Sequence, residues 1–124
     1  MNHLEVGQAV HNTSAFDAAD VREYEALTGD VADAPGTIPV GILGGMFSEL
    51  LGTRLPGRGT NWLKQRITFE RPALIDDPLT ATVEIVRIRS EKSLVNLTTI
   101  CRDGAGRVVC KGEALVLVKE LESR

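Results

Sequence analysis

The 124-residue sequence predicts an α+β fold, a curved antiparallel sheet wrapped around one central helix, and three observations predict it. The first is the stretch 38–52, IPVGILGGMFSELLG. Val40, Leu43, Phe47, Leu50 and Leu51 recur at three- and four-residue steps, with Ile42 and Met46 in a neighbouring row. Apolar side chains then cover most of a helix circumference, and such a helix has to be wrapped by other structure. The second is that the half of the chain after this helix reads as strands rich in Val, Ile, Leu and Thr. The third is that the connections RSEKS and DGAG are short enough to make their flanking strands antiparallel neighbours. One domain, 1–124, suffices, since a chain of this length buries about two-thirds of the surface that it exposes unfolded.

Taken in order, Leu4 to Ser14 has short apolar positions without helical period and reads as a modest first strand carrying His11. Asp17 is a good N-cap, Asp20 and Glu23 complement the positive end of a helix dipole, and Val21, Tyr24 and Leu27 form an apolar row. A short helix over Ala18 to Thr28 follows, ended by Gly29. Val31 to Thr37 is a loop by composition. The central helix then has Pro39 in its first turn, where no amide donor is needed, and Gly52, Pro56 and Gly57 to stop it. Three strands follow: Asn61 to Glu70, with Leu63, Ile67 and Phe69 on one face; Leu79 to Ile88; and Ser93 to Cys101. After the DGAG turn, Arg107 to Val118 returns as a long final strand. A sheet this small keeps open edges, and pairing one with a second copy would hide its unpaired amides, so a dimer is expected.

Composition narrows the partners. Fourteen Lys and Arg against 17 Asp and Glu give a formal charge of -3, no footprint for nucleic acid. No basic-then-apolar leader opens the sequence, and its longest apolar run is too short and glycine-rich to span a bilayer, so a cytoplasmic protein without membrane contact is expected. Cys101 and Cys110 flank DGAG almost symmetrically. They form either a cross-strand disulfide or, as the missing export signal favours, two buried thiols. His3 and His11 stand without ligand spacing beside any cysteine, so no metal site is expected.

Chemistry concentrates before and at the start of the central helix. Gly41, Gly44 and Gly45 carry no side chains, and the unpaired N–H groups of a helix start bind a negative charge or a polarised carbonyl oxygen. The alternative is that these glycines only let a sheet pack closely. Asp30 and Asp33 precede them: a carboxylate near unpaired amides suits chemistry on a carbonyl, with the amides polarising the oxygen and the carboxylate moving a proton. The alternative, which the residues alone favour, is that Asp30 caps the turn through its own backbone.

The stretches YEALTGD, GILGGMFSELLG, LPGRGTNWLKQRITFERPALIDDPLTATVEIV and VCKGEALV resemble the MaoC-like branch of the hotdog fold, to which R-specific enoyl-CoA hydratases belong. The similarity covers nearly the whole chain and is most specific over Leu55 to Val86, where LPG-x-GT, Gln65, Phe69 and Pro72 keep the family's spacing. The resemblance implies a hotdog fold, a homodimer or a heteromer with a related hotdog chain, and an acyl thioester of coenzyme A or acyl carrier protein as substrate, with no further cofactor. It also implies hydration of a 2-enoyl thioester, or the reverse dehydration, by an aspartate and a histidine from a GD-x-NP-x-H motif. Gly29 and Asp30 match its start, but Ala32, Asp33 and Pro35 stand where Asn-Pro and then His are expected, and the segment up to the central helix is shorter than in typical members. Asp30 would then keep its role, with Asp33 or a partner chain supplying the second group. Gly41 matches the glycine whose amide polarises the thioester carbonyl, with Val40 replacing the histidine before it, and Ser48 matches a serine placed near the acyl group in some members. Ser48 equally suits a bond back to a helix carbonyl. Arg54, Arg58, Lys64, Arg66 and Arg71 either receive the phosphates of coenzyme A, Arg58 first among them, or form the solvated face of a strand. Losing one general acid–base partner costs about 10²–10⁴ in rate, which keeps two alternatives open: a hotdog thioesterase using a single carboxylate, and a non-catalytic acyl-binding subunit of a heteromeric hydratase.

Overall fold

The computed structural model describes residues 4–57 and 60–118. Strand β1 (Ala9–Ser14) leads into helix α1 (Ala18–Thr28) and the central helix α2 (Val40–Thr53). Strands β2 (Thr60–Phe69), β3 (Leu79–Arg89), β4 (Leu94–Arg102) and β5 (Val108–Val118) follow. They form one antiparallel sheet in the order β1-β3-β4-β5-β2, which leaves β1 and β2 as its edges. Leu43, Met46, Phe47, Leu50 and Leu51 of α2 share one core with the inward-facing residues of the sheet, and Phe47, Leu50 and Leu51 have no exposed surface at all. Alternation does the rest: β4 reads buried at Val95, Leu97, Thr99 and Cys101, with more exposed residues between them.

Local chemistry accounts for the element ends. The Asp17 side chain accepts from the Asp20 N–H at 2.8 Å, the Asp20 carboxylate accepts from the Asp17 N–H at 3.0 Å, and this reciprocal pair starts α1. Gly29, at φ 76°, ends it through a left-handed cap whose N–H reaches the Glu25 carbonyl. At the tip of the β4–β5 hairpin the Asp103 carboxylate accepts from the N–H groups of Ala105 (3.0 Å) and Arg107 (2.9 Å) and from Arg107 Nε (2.9 Å). Burial of that carboxyl opposes its charge, but these donors outweigh it and hold Asp103 below the usual carboxylate range.

Four sequence expectations need correcting. The first strand begins at Ala9 rather than Leu4, because Gly7, at φ 94°, turns the chain just before it. Pro39 is the N-cap of α2 rather than a first-turn residue. Gly52 lies within α2, which runs on to Thr53 and closes through the Arg54 N–H bond to Leu50; in a buried, packed helix one glycine does not outweigh the turns on either side. Leu63 does not share a face with Ile67 and Phe69 in a regular strand, because the β2–β5 register shifts between Trp62 and Lys64. The wrapping of α2 is also one-sided, since Gly45, Ser48, Glu49 and Gly52 form an exposed strip. Cys101 and Cys110 are direct partners across β4 and β5, both buried and both free thiols. The hydrogen bond with Cys101, and then burial, push the Cys110 thiol up.

Candidate active site

The α1 C-terminus delivers Asp30. Thr28 Oγ1 donates back to the Tyr24 carbonyl (2.8 Å) and accepts from the Asp30 N–H (3.1 Å), so the backbone of Asp30 is fixed to the last turn of the helix. Its side chain is fixed from the same helix: Tyr24 Oη donates to Asp30 Oδ2 at 3.1 Å. The loop beyond is held at its start, where the Ala32 N–H donates to Glu25 Oε2 (2.9 Å), and at its end, where the Ile38 N–H donates to the Ala73 carbonyl (2.9 Å). Thr37 and Leu74 form an antiparallel bridge between this loop and the β2–β3 connection.

These attachments bring Asp30 to the start of α2. A Cβ built on Gly41 would fall on Tyr24 Oη and lie 3.1 Å from Asp30 Oδ2, so phenol, carboxylate and helix start meet at one glycine. Unlike α1, α2 has no side-chain cap at this end. The Ile42 N–H already donates to the Pro39 carbonyl (3.1 Å), which leaves the N–H groups of Val40 and Gly41 in its first turn for an anion or a carbonyl oxygen. Asp30, Asp33, Val40, Leu43, Phe69 and Arg71 are among the residues around a cavity of about 440 Å³ that opens here. On the other side of the same junction, Tyr24, Gly41, Gly45 and Met46 help line a second cavity of about 590 Å³, whose rim carries Asp20, Glu23 and Glu49.

The remaining expected residues divide. Asp33 lines the Asp30 cavity but makes no hydrogen bond with the described residues, so the structure does not pair the two carboxylates directly. Gly45 lines the larger cavity, while a Cβ on either Gly44 or Gly45 would meet nothing within 4 Å; close packing of a sheet is not what these two glycines serve. Ser48 is exposed, lines neither cavity, and makes no bond to a preceding carbonyl. Arg58 lies outside the described residues, as does His3. The expected basic cluster disperses. Arg54 Nη1 donates to the His11 carbonyl (2.8 Å), Lys64 and Arg66 flank a smaller cavity with Asn96 and Glu113, and only Arg71, its Nε on the Val108 carbonyl (3.1 Å), reaches the Asp30 cavity. His11 lines neither large cavity. No group of three or more His, Cys, Asp or Glu among the described residues is placed to hold a metal ion.

The sequence reading missed Tyr24 as a site residue, because at an apolar position of α1 it reads as core. Its six-residue spacing from Asp30 crosses a left-handed glycine, and no helical period relates the two.

An (R)-specific enoyl-CoA hydratase from Aeromonas caviae is 34% identical over 126 residues, covering 91% of this chain and 94% of that relative. The chain belongs to the MaoC-like hotdog family. A second (R)-specific enoyl-CoA hydratase of that family, from Rhodospirillum rubrum, is 45% identical over 74 residues, which span 60% of this chain and 51% of the relative. Among solved structures, an (R)-hydratase from A. caviae involved in PHA biosynthesis superposes with a TM-score of 0.87 at 32% identity, over 93% of this chain and 97% of that one. No protein-family model matches the sequence. The α+β hotdog fold of the family is thus this chain's fold, a curved antiparallel sheet around α2. Among the described residues, no helix is long and apolar enough to cross a membrane.

Proposed function

We propose that this protein is an R-specific enoyl-CoA hydratase, and in reverse a 3-hydroxyacyl-CoA dehydratase, in which Asp30 moves the proton and the start of α2 polarises the thioester. The observation that carries this reading is the placement of the Asp30 carboxylate beside Gly41, at the uncapped end of α2, where Asp30 and Val40 line one cavity and Gly41 faces the adjoining one. The thioester carbonyl oxygen accepts from the helix-start amide at Gly41, which draws electron density away from C3 of the enoyl group. Asp30 takes a proton from water as the water oxygen bonds to C3, and the π electrons pass through C2 to the carbonyl oxygen as an enolate. The carboxylic acid of Asp30 then returns that proton to C2. The proton removed from water is the one that C2 needs, so a single carboxylate closes the cycle without the histidine. Val40, Leu43 and Phe69 give the cavity apolar wall for an acyl chain, and Arg71 places a cation at its margin for a coenzyme A or carrier phosphate.

A second copy of the chain, or a related hotdog chain, belongs to this reading. Edge strand β2 exposes Trp62 (42%), Leu63 (54%) and Phe69 (43%). An open strand edge with exposed apolar side chains is covered by pairing with another chain.

The test is incubation of the purified protein with a short 2-enoyl-CoA, products separated by mass, beside Asp30→Asn. The expected result is a 3-hydroxyacyl-CoA whose formation falls about 10²–10⁴-fold in the variant. Free coenzyme A lost in the variant would replace the reading with a single-carboxylate thioesterase. A folded dimer that yields neither product would leave an acyl-binding subunit that needs a catalytic partner.

A further inference from the structure

We propose that Tyr24 is a positioning residue for Asp30: its phenol holds one carboxylate oxygen beside the start of α2, so that the other is presented from a fixed direction. The inference rests on the reading of Asp30 as the proton-transfer group. Three observations carry it. Tyr24 Oη donates to Asp30 Oδ2 at 3.1 Å, and among the described residues the other oxygen of that carboxylate has no partner, leaving it for water or substrate. Both ends of Asp30 are held by the same last turn of α1, the side chain by Tyr24 and the backbone N–H by Thr28, whose hydroxyl in turn donates to the Tyr24 carbonyl. Finally, Gly41 leaves the space that the phenol oxygen occupies: its absent Cβ would lie on Tyr24 Oη and 3.0 Å from Tyr24 Cζ.

Asp30 lines the smaller cavity and Tyr24 does not, so in that cavity the phenol acts through the carboxylate rather than on substrate. In a site without the family's histidine this matters physically. A carboxylate on a loop after a helix end has free rotation about its side-chain bonds, and one group that must take a proton at water and return it at the adjacent carbon works only if its swing is limited. The hydrogen bond supplies that limit. It also leaves a trace on the tyrosine: burial, then the bond to Asp30, then the Asp30 charge, raise the Tyr24 phenol above its ordinary value. The other acids lining its cavity, Asp20, Glu23 and Glu49, are untouched by a change at Asp30.

Tyr24 is the single tyrosine of the chain, so phenolate absorbance against pH reports on it alone. The experiment combines that titration, in wild type and Asp30→Asn, with steady-state hydration kinetics of Tyr24→Phe, Asp30→Asn and the double variant. Three results are expected: the phenolate appears at lower pH in Asp30→Asn; Tyr24→Phe lowers kcat about tenfold or more while KM stays within about twofold; and the double variant is no slower than Asp30→Asn alone. Additive losses in the double variant, or a wild-type kcat in Tyr24→Phe, would overturn the positioning role. If the wild type turns over no enoyl thioester, the hydratase reading falls by itself. The titration then judges the pair: an unchanged phenolate curve in Asp30→Asn overturns it, and a curve moved to lower pH sustains it.

Discussion

Gly41 shows how a single missing carbon organises the site. Its Cβ position is shared by a phenol oxygen and approached by a carboxylate, both at the ends of side chains rather than on backbone. Gly41→Ala should therefore fold, with stability changed by no more than about 1 kcal/mol, because Tyr24 can swing aside. Its cost should appear instead as a lost Tyr24–Asp30 bond, read as a phenolate curve moved to lower pH and as slower hydration. Tyr24 also ties stability to alkaline pH. Its folded value is raised, so its contribution is complete below the ordinary phenol value near 10 and disappears as pH climbs through the folded one. Asp103 works in the opposite sense. Its folded value is depressed, so the stability it contributes is present above about pH 4 and is lost as pH falls through the folded value. Asp103→Asn should lower the thermal midpoint at neutral pH and flatten the acid limb of the midpoint-against-pH curve.

Elements differ in how much a single change disturbs them. The reciprocal caps on α1 satisfy two orphan amides, and Asp17→Ala should cost about 1 kcal/mol by chemical denaturation. Since Thr28 ends α1 and Asp30 follows its cap, the fraying begins at the far end of the helix from Asp30, and activity should survive the loss. Gly112 is less forgiving. A Cβ there would fall on the Arg66 carbonyl oxygen and lie 2.8 Å from the Arg66 carbonyl carbon, both backbone atoms of the neighbouring strand. Neither atom can move without separating β2 from β5, so Gly112→Ala should cost about 1–3 kcal/mol and loosen the strand that bounds the Asp30 cavity. Here the strand pattern was legible and the glycine was not: the alternation of β5 announces a strand, but only the paired register shows which neighbour stands over residue 112.

At the scale of the molecule, the uneven wrapping of α2 and the apolar edge on β2 make the isolated chain look incomplete. Sedimentation of the purified protein should find a dimer at micromolar concentration, with Leu63→Asp and Phe69→Asp together shifting it to monomer and abolishing turnover. A monomeric, fully active double variant would remove the partner chain from the proposed site. Two cysteines facing each other across β4 and β5 add nothing to this assembly; buried between strands of one sheet, they serve as core.

The sequence by itself determined the α+β class, the order of elements, the capped first helix, the central helix and the antiparallel meander, because each rests on local periodicity, capping chemistry or turn residues. It also singled out Asp30 and Gly41 as candidate site residues, through a glycine-rich helix start and a short match to a known motif. The tertiary structure decided what stands around them. It set Tyr24 against Asp30, put Asp33 on the same wall without a bond to it, carried Ser48 to an open face and scattered the basic residues over separate surfaces. Those relations join residues through the packing of α1 against the start of α2 and through the twist and bulge of β2. No pattern within one segment encodes the distance between two side chains whose segments meet only when the sheet closes around the helix.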